Sequence, residues 1–108
     1  MEIINCTPHA VVVRHEDGTE TTFQPSGIAI RLESSIETVG SVNGIQLSRQ
    51  VFGEAIGLPE QNANTILIVS ALVRSALPER TDLISPDTSR AFRDEAGRIE
   101  AVPGFISN

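Results

Sequence analysis

The residue type in this chain best suited to holding a ligand is arginine. All eight basic residues are arginine, at positions 14, 31, 49, 74, 80, 90, 93 and 98, and lysine is absent. A guanidinium is a rigid, permanently charged fork that matches carboxylate and phosphate oxygens. Arg74, Arg80 and Arg90 fall in one stretch with Thr81, Asp82 and Ser85. Thr7 and His9 precede the first expected strand of a hairpin, and Ser70 stands where a strand gives way to a helix. The first turn of that helix offers unpaired N–H groups and a positive dipole end. If these groups converge, the arginines hold phosphate oxygens while Asp82 accepts from a ribose hydroxyl or orients an arginine. The competing account is structural: Arg80 pairs with Asp82, and Thr81 and Ser85 serve the turn.

Covalent chemistry has less support. Ser70 sits in Ile68-Val69-Ser70-Ala71-Leu72, without the flanking glycines of a nucleophile elbow. The only imidazoles, His9 and His15, lie far from it in sequence. Cys6 and His9 are three residues apart, but a closed zinc site wants four ligands and no second pair follows. Acidic residues fall on expected turns (Glu16, Asp17, Asp94, Glu95) or alternate outward on expected strands (Glu20, Glu33, Glu37, Glu100), the distribution of a solvated surface. Gly53-Glu54-Ala55-Ile56-Gly57 lacks the lysine and hydroxyl of a phosphate-binding loop. The chain is therefore expected to be a non-enzyme without metal or cofactor.

The elements that would position these residues are mostly strands. Ala10–Arg14 and Thr19–Phe23 flank an Asp17-Gly18 pair, and Glu37–Val42 and Ile45–Arg49 flank Asn43-Gly44, the best pair for a type I′ hairpin turn. A third hairpin is expected from Arg90–Arg93 against Arg98–Val102. Ile28, Ile30 and Leu32 alternate as in a half-buried strand, and Gly53, Gly57 and Pro59 frame a loop. Thr65–Val69 is a continuous apolar run, as in a strand buried on both faces. Val69, Leu72, Val73 and Ala76 keep helical spacing, with Ser70 as N-cap and Pro78 as stop. Ser85-Pro86-Asp87-Thr88-Ser89 reads as a turn-rich segment. The fold class expected is β-rich α+β: a twisted antiparallel sheet or small open barrel of three hairpins with one short helix, as a single domain over residues 1–108. Unpaired sheet edges favour a homo-oligomer.

Composition narrows the setting. The 108 residues carry a net charge of −6, against the basic footprint that direct nucleic-acid binding needs. Trp and Tyr are absent and Phe occurs four times, leaving few platforms for stacking bases. Cys6 is the only cysteine, so no internal disulfide forms and a reducing compartment is expected. The start lacks a basic, apolar leader, and the longest apolar stretch, from Ile66 to Val73, is too short to span a bilayer. A cytoplasmic place, in a bacterial host, is the expectation.

Thr7-Pro8-His9, Pro25-Ser26-Gly27, Phe52-Gly53-Glu54, Gly57-Leu58-Pro59, Ile68–Val73, Arg80-Thr81-Asp82, Ser85-Pro86 and Arg93–Ile99 together resemble a group of uncharacterised small proteins of phages, prophages and bacterial chromosomes. The likeness covers most of the chain. The group's function is unknown, so the resemblance assigns no residue a role. It implies a setting in which small acidic proteins act as inhibitors or sponges against bacterial defence. The expected function is accordingly a non-catalytic phage-type protein that sequesters a phosphorylated nucleotide through Thr7, His9, Ser70, Arg74, Arg80, Thr81, Asp82, Ser85 and Arg90. One alternative is an acidic inhibitor of a host or defence (CRISPR-type) nucleic-acid-binding protein. A further alternative is a small accessory or structural phage protein.

Overall fold

A computed structural model describes residues 1–108. It runs β1 (Glu2–Asn5), β2 (Val11–Arg14), β3 (Glu20–Phe23), β4 (Arg31–Val42) and β5 (Ile45–Ile56). Then come β6 (Thr65–Ile68), α1 (Ala71–Ala76), β7 (Leu83–Pro86), β8 (Phe92–Arg93), β9 (Ile99–Ala101) and β10 (Phe105–Ser107), with a 3-10 turn at Thr88–Arg90.

The apolar run of β6 becomes the centre of a four-stranded sheet of order β1-β6-β7-β10. β6 pairs in parallel with β1 and with β7, and β10 pairs antiparallel with β7. Strand alternation sends Leu67 and Leu83 to one face, where they pack with Cys6, Val69 and Val73. Ile68 goes to the other face, against Val11, Val13 and Val102. Two cores on one narrow sheet explain why the run carries no polar residue after Thr65: neither face meets water. The short crossover from β6 through α1 to β7 makes the parallel pair. Ser70 caps the helix, its Oγ accepting from the Val73 N–H at 3.2 Å.

The β-rich α+β class with one short helix holds, and each of the three expected hairpins forms: β2–β3, β4–β5 and β8–β9. They do not merge into one antiparallel sheet or a barrel. Each is a separate two-stranded sheet, and the sheet that carries the core is mixed. Ser85-Pro86 is strand rather than turn, because β7 borrows its hydrogen bonds from β6 and β10, which are remote in sequence. Pro86, which has no N–H to donate, is the last residue of β7.

The β2–β3 hairpin is tied to the segment just after β9 by backbone bonds from Arg14 N–H to the Val102 carbonyl and from Val102 N–H to the Val12 carbonyl, both 2.9 Å. Phe23 meets Phe105 edge-on with centroids 6.0 Å apart, and the Arg14 guanidinium lies 4.6 Å above the Phe92 ring. The β4–β5 hairpin behaves differently. It is much longer than its turn alone suggested, because Ile56 and Arg31 still pair at its base. Asn43 and Gly44, at φ 52° and 78°, make its tip, as the Asn-Gly pair predicts. Almost all of its residues are exposed. The molecule measures 54 × 38 × 22 Å, and its radius of gyration is 16.7 Å. A compact body of this length needs only about 13 Å. The hairpin is an arm.

Candidate functional site

The arginines expected to hold phosphate are occupied by the protein itself. Arg80 forks onto Asp82, with Nε 2.9 Å from Oδ1 and Nη2 2.8 Å from Oδ2, and Nη2 also donates to the Pro59 carbonyl at 2.9 Å. The Asp82 side chain is only 5% exposed. The donated bonds hold its carboxyl below the usual range, and the carboxylate in turn raises the Arg80 guanidinium. Arg90 pairs with the buried Asp87 through one oxygen, Nε at 2.8 Å and Nη2 at 2.6 Å from Oδ2. The Ser89 hydroxyl also donates to Asp87, and these bonds lower its pKa, Ser89 most. Arg74 donates from Nε to Ser85 Oγ at 2.8 Å and from Nη1 to Asn108 Oδ1 at 3.3 Å. Thr81 Oγ1 is exposed and accepts from Gln61 at 3.2 Å.

Thr7 and His9 belong to a different knot, built on Asn5. This buried side chain donates to the carbonyls of His9 at 2.8 Å and Phe23 at 2.9 Å. Its Oδ1 accepts from the Thr7 N–H at 2.9 Å and the Thr7 hydroxyl at 2.6 Å. The Asn5 carbonyl takes the Ser26 N–H and hydroxyl. Asn5 thus fastens the end of β1 to both strands of the first hairpin, which accounts for Thr7-Pro8-His9 and Pro25-Ser26 as a turn assembly. Sequence reasoning passed over Asn5. The signal available was an Asn two residues before a Thr, the pattern of a side chain that bonds its own backbone two residues on.

The expected residues therefore gather into pairs: Arg74 with Ser85, Arg80 with Asp82, Thr7 with the His9 backbone. Thr7 and Ser70 do share a cleft. It has a volume of about 160 Å³ and lies at the carboxyl ends of β1 and β6, walled by Cys6, Pro8, Ile30 and Val73. None of the arginines lines it, nor the adjoining hollow beside Pro25 and Gly27. Burial pushes the Cys6 thiol up, away from the nucleophilic thiolate. Ser70 Oγ is spent on its cap, and the one His–hydroxyl pair, His15 Nε2 with Thr21 Oγ1 at 2.7 Å, lies exposed on the β2–β3 hairpin. No three His, Cys, Asp or Glu side chains gather as a metal site. No helix is long and apolar enough to cross a membrane.

What the body leaves unsatisfied is the arm. From Ile45 to Phe52 the pairing of β5 is unbroken, so alternate residues take opposite faces. One face is mainly polar: Gln46 donates to Thr38 Oγ1 at 2.7 Å and Gln50 to Ser34 Oγ at 3.2 Å, with Ile36 opposite Gln50 and Phe52 opposite Ser34 as its apolar members. The other carries Ile45, Leu47 and Val51 from β5 and Val42 from β4, with Glu37 and Arg49 paired across the strands at 3.2 Å. Ile45 is 67% exposed and Leu47 43%. The arm is amphipathic, and nothing in the chain covers its apolar face. The sequence marks the tip of this hairpin but not its length, because Gly53 has the chemistry of a loop start. It sits instead at a bulge within β5, where the register shifts between Leu32 and Ser34.

No protein-family model, no curated protein and no solved structure matches the chain.

Proposed function

We propose that this chain is a non-catalytic binding module whose working element is the β4–β5 arm, which docks on another protein through the face bearing Val42, Ile45, Leu47 and Val51. The single observation behind this reading is the amphipathic, uncovered arm. A monomer has no physical reason to hold a strand face of large aliphatic residues in water, and contiguous exposed apolar surface marks interaction sites. A two-stranded ribbon is also marginal alone in water, so packing against a partner gives it the third layer it lacks.

Capture of a phosphorylated nucleotide is the weaker reading. It would require Arg80 and Arg90 to leave buried carboxylates, Asp82 and Asp87, that they neutralise. Removing a cation from a buried carboxylate is costly. In the phage-type setting that the sequence pattern suggests, a docking arm suits an inhibitor of a host protein or an accessory assembly protein.

The test is a photo-reactive benzophenone amino acid placed at position 47, and separately at position 95 in the β8–β9 turn, in cells that make the protein. A discrete protein adduct at 47, absent at 95 and abolished by Ile45→Asp, is expected. No adduct at 47 overturns the reading.

A further inference from the structure

We infer that the partner of the arm is a second copy of this chain, the two arms lying face to face, tip beside tip, about a two-fold axis parallel to their length. This rests on the reading of the arm as a protein-docking element and names its occupant.

Charge carries the argument. Glu37 and Arg49 stand opposite each other between Val51 and Leu47 on the face whose only other polar member is Ser35, and their side chains are 54% and 65% exposed. Burying that face against a purely apolar surface would strand both charges from water. A two-fold axis along the arm places β4 of one copy over β5 of the other. Each Arg49 then meets the partner's Glu37, and four charges of alternating sign close on themselves. The same operation sets Val42 over the partner's Ile45. It also sets the partner's Leu47 over Gly40, where the absence of a side chain leaves open space. An axis across the arm would instead stack Glu37 on the partner's Glu37.

Edge pairing is the other way two hairpins join, and bulges confine it to the stretch of β5 from Ile45 to Phe52. Register shifts occur between Leu32 and Ser34 and between Thr38 and Gly40, so bulges interrupt the long ladder. Bulges twist an edge away from a prospective partner strand. Edge pairing there would still leave the aliphatic face in water, so the face is the favoured route.

Area sets the strength. Strand rise and spacing give each arm a face of about 35 by 10 Å, so the pair covers roughly 700 Å² in all, at the low end of the weak, reversible class of interfaces. An interface this small is transient, so the dimer is expected to dissociate at micromolar or higher concentrations.

Sedimentation velocity on the full chain from roughly 1 to 500 μM tests this across the expected dissociation range. A monomer–dimer transition is expected, abolished by Leu47→Asp. Glu37→Arg and Arg49→Glu are each expected to weaken the dimer at least about tenfold. An equimolar mixture of those two variants is expected to restore it, because each charge then meets its opposite across the axis. A role confined to one chain's hairpin would not be rescued by mixing. Should a charge reversal unfold the hairpin, Glu37→Gln mixed with Arg49→Gln serves as a second pair, expected to dimerise better mixed than apart because only the mixture keeps one Arg49–Glu37 contact across the axis. A monomer at every concentration overturns the inference, as does failure of the charge-reversed mixture to associate. If position 47 still crosslinks to a different protein, only the self-association falls. If position 47 crosslinks to nothing, the docking reading falls too.

Discussion

Arg80 grips Asp82 with both arms of its guanidinium, at 2.9 and 2.8 Å, two residues away in the chain and in the wall of the core. A third bond from the same guanidinium to the Pro59 carbonyl ties the loop after β5 to the loop before β7. The fork is a structural clasp. Arg80→Ala leaves a buried carboxylate without its cation and is expected to lower stability by about 3 kcal/mol. Arg80→Met with Asp82→Leu removes both charges and is expected to lower it by less. Urea melts of the two variants distinguish the cases; equal losses would show that packing, not charge, decides.

Acid is expected to loosen the same clasp. The folded-state pKa values of Asp82 and Asp87 lie below their ordinary values, through bonds from Arg80 and from Ser89 and Arg90. A carboxyl depressed on folding contributes its stability above its unfolded pKa of about 4 and loses it as pH falls through the folded value. The urea midpoint is therefore expected to hold level near neutrality and drop below about pH 4. Asp82→Asn, already destabilised at pH 7, is expected to show a shallower drop. A parallel drop in both proteins would place the acid sensitivity elsewhere.

Asn5 is expected to be the least replaceable polar residue. Its amide satisfies two carbonyls and accepts from both Thr7 donors in a buried position. Asn5→Ala strands these groups and is expected to cost about 3 kcal/mol. Hydrogen exchange reads the consequence locally, as faster exchange through β2 and β3 than through β6 and β7. Uniform loss of protection would mean that the hairpin and sheet unfold as one.

Gly57, where the arm returns to the body, tests the anchoring. It holds φ +86°, and a Cβ there would drive into the Ala29 carbonyl. Gly57→Ala is expected to cost about 3 kcal/mol, through backbone strain and the clash together. Gly18→Ala, at φ +88° with open space around it, is expected to cost about 1 kcal/mol from the left-handed conformation alone. Thermal melts of the pair separate the two contributions; equal shifts would dismiss the clash.

What was legible in the sequence was local. Asp17-Gly18 and Asn43-Gly44 fixed two turns, because positive φ has few residue types to serve it. Ser70 and Pro78 bounded the helix through a cap bond and a missing donor, both set within one turn of chain. Arg80–Asp82 was visible as a pair for the same reason. The parallel pairing of β1 with β6 was not legible, since it joins segments about sixty residues apart and a four-residue strand carries little periodicity. Nor was the role of β7, whose Ser85-Pro86 has turn chemistry and becomes strand only beside β6 and β10. The alternation in Ile45, Leu47, Arg49 and Val51 was present in the sequence all along. Only the tertiary structure decided that this apolar face points away from the body, because burial depends on what arrives from elsewhere in the chain, and nothing does.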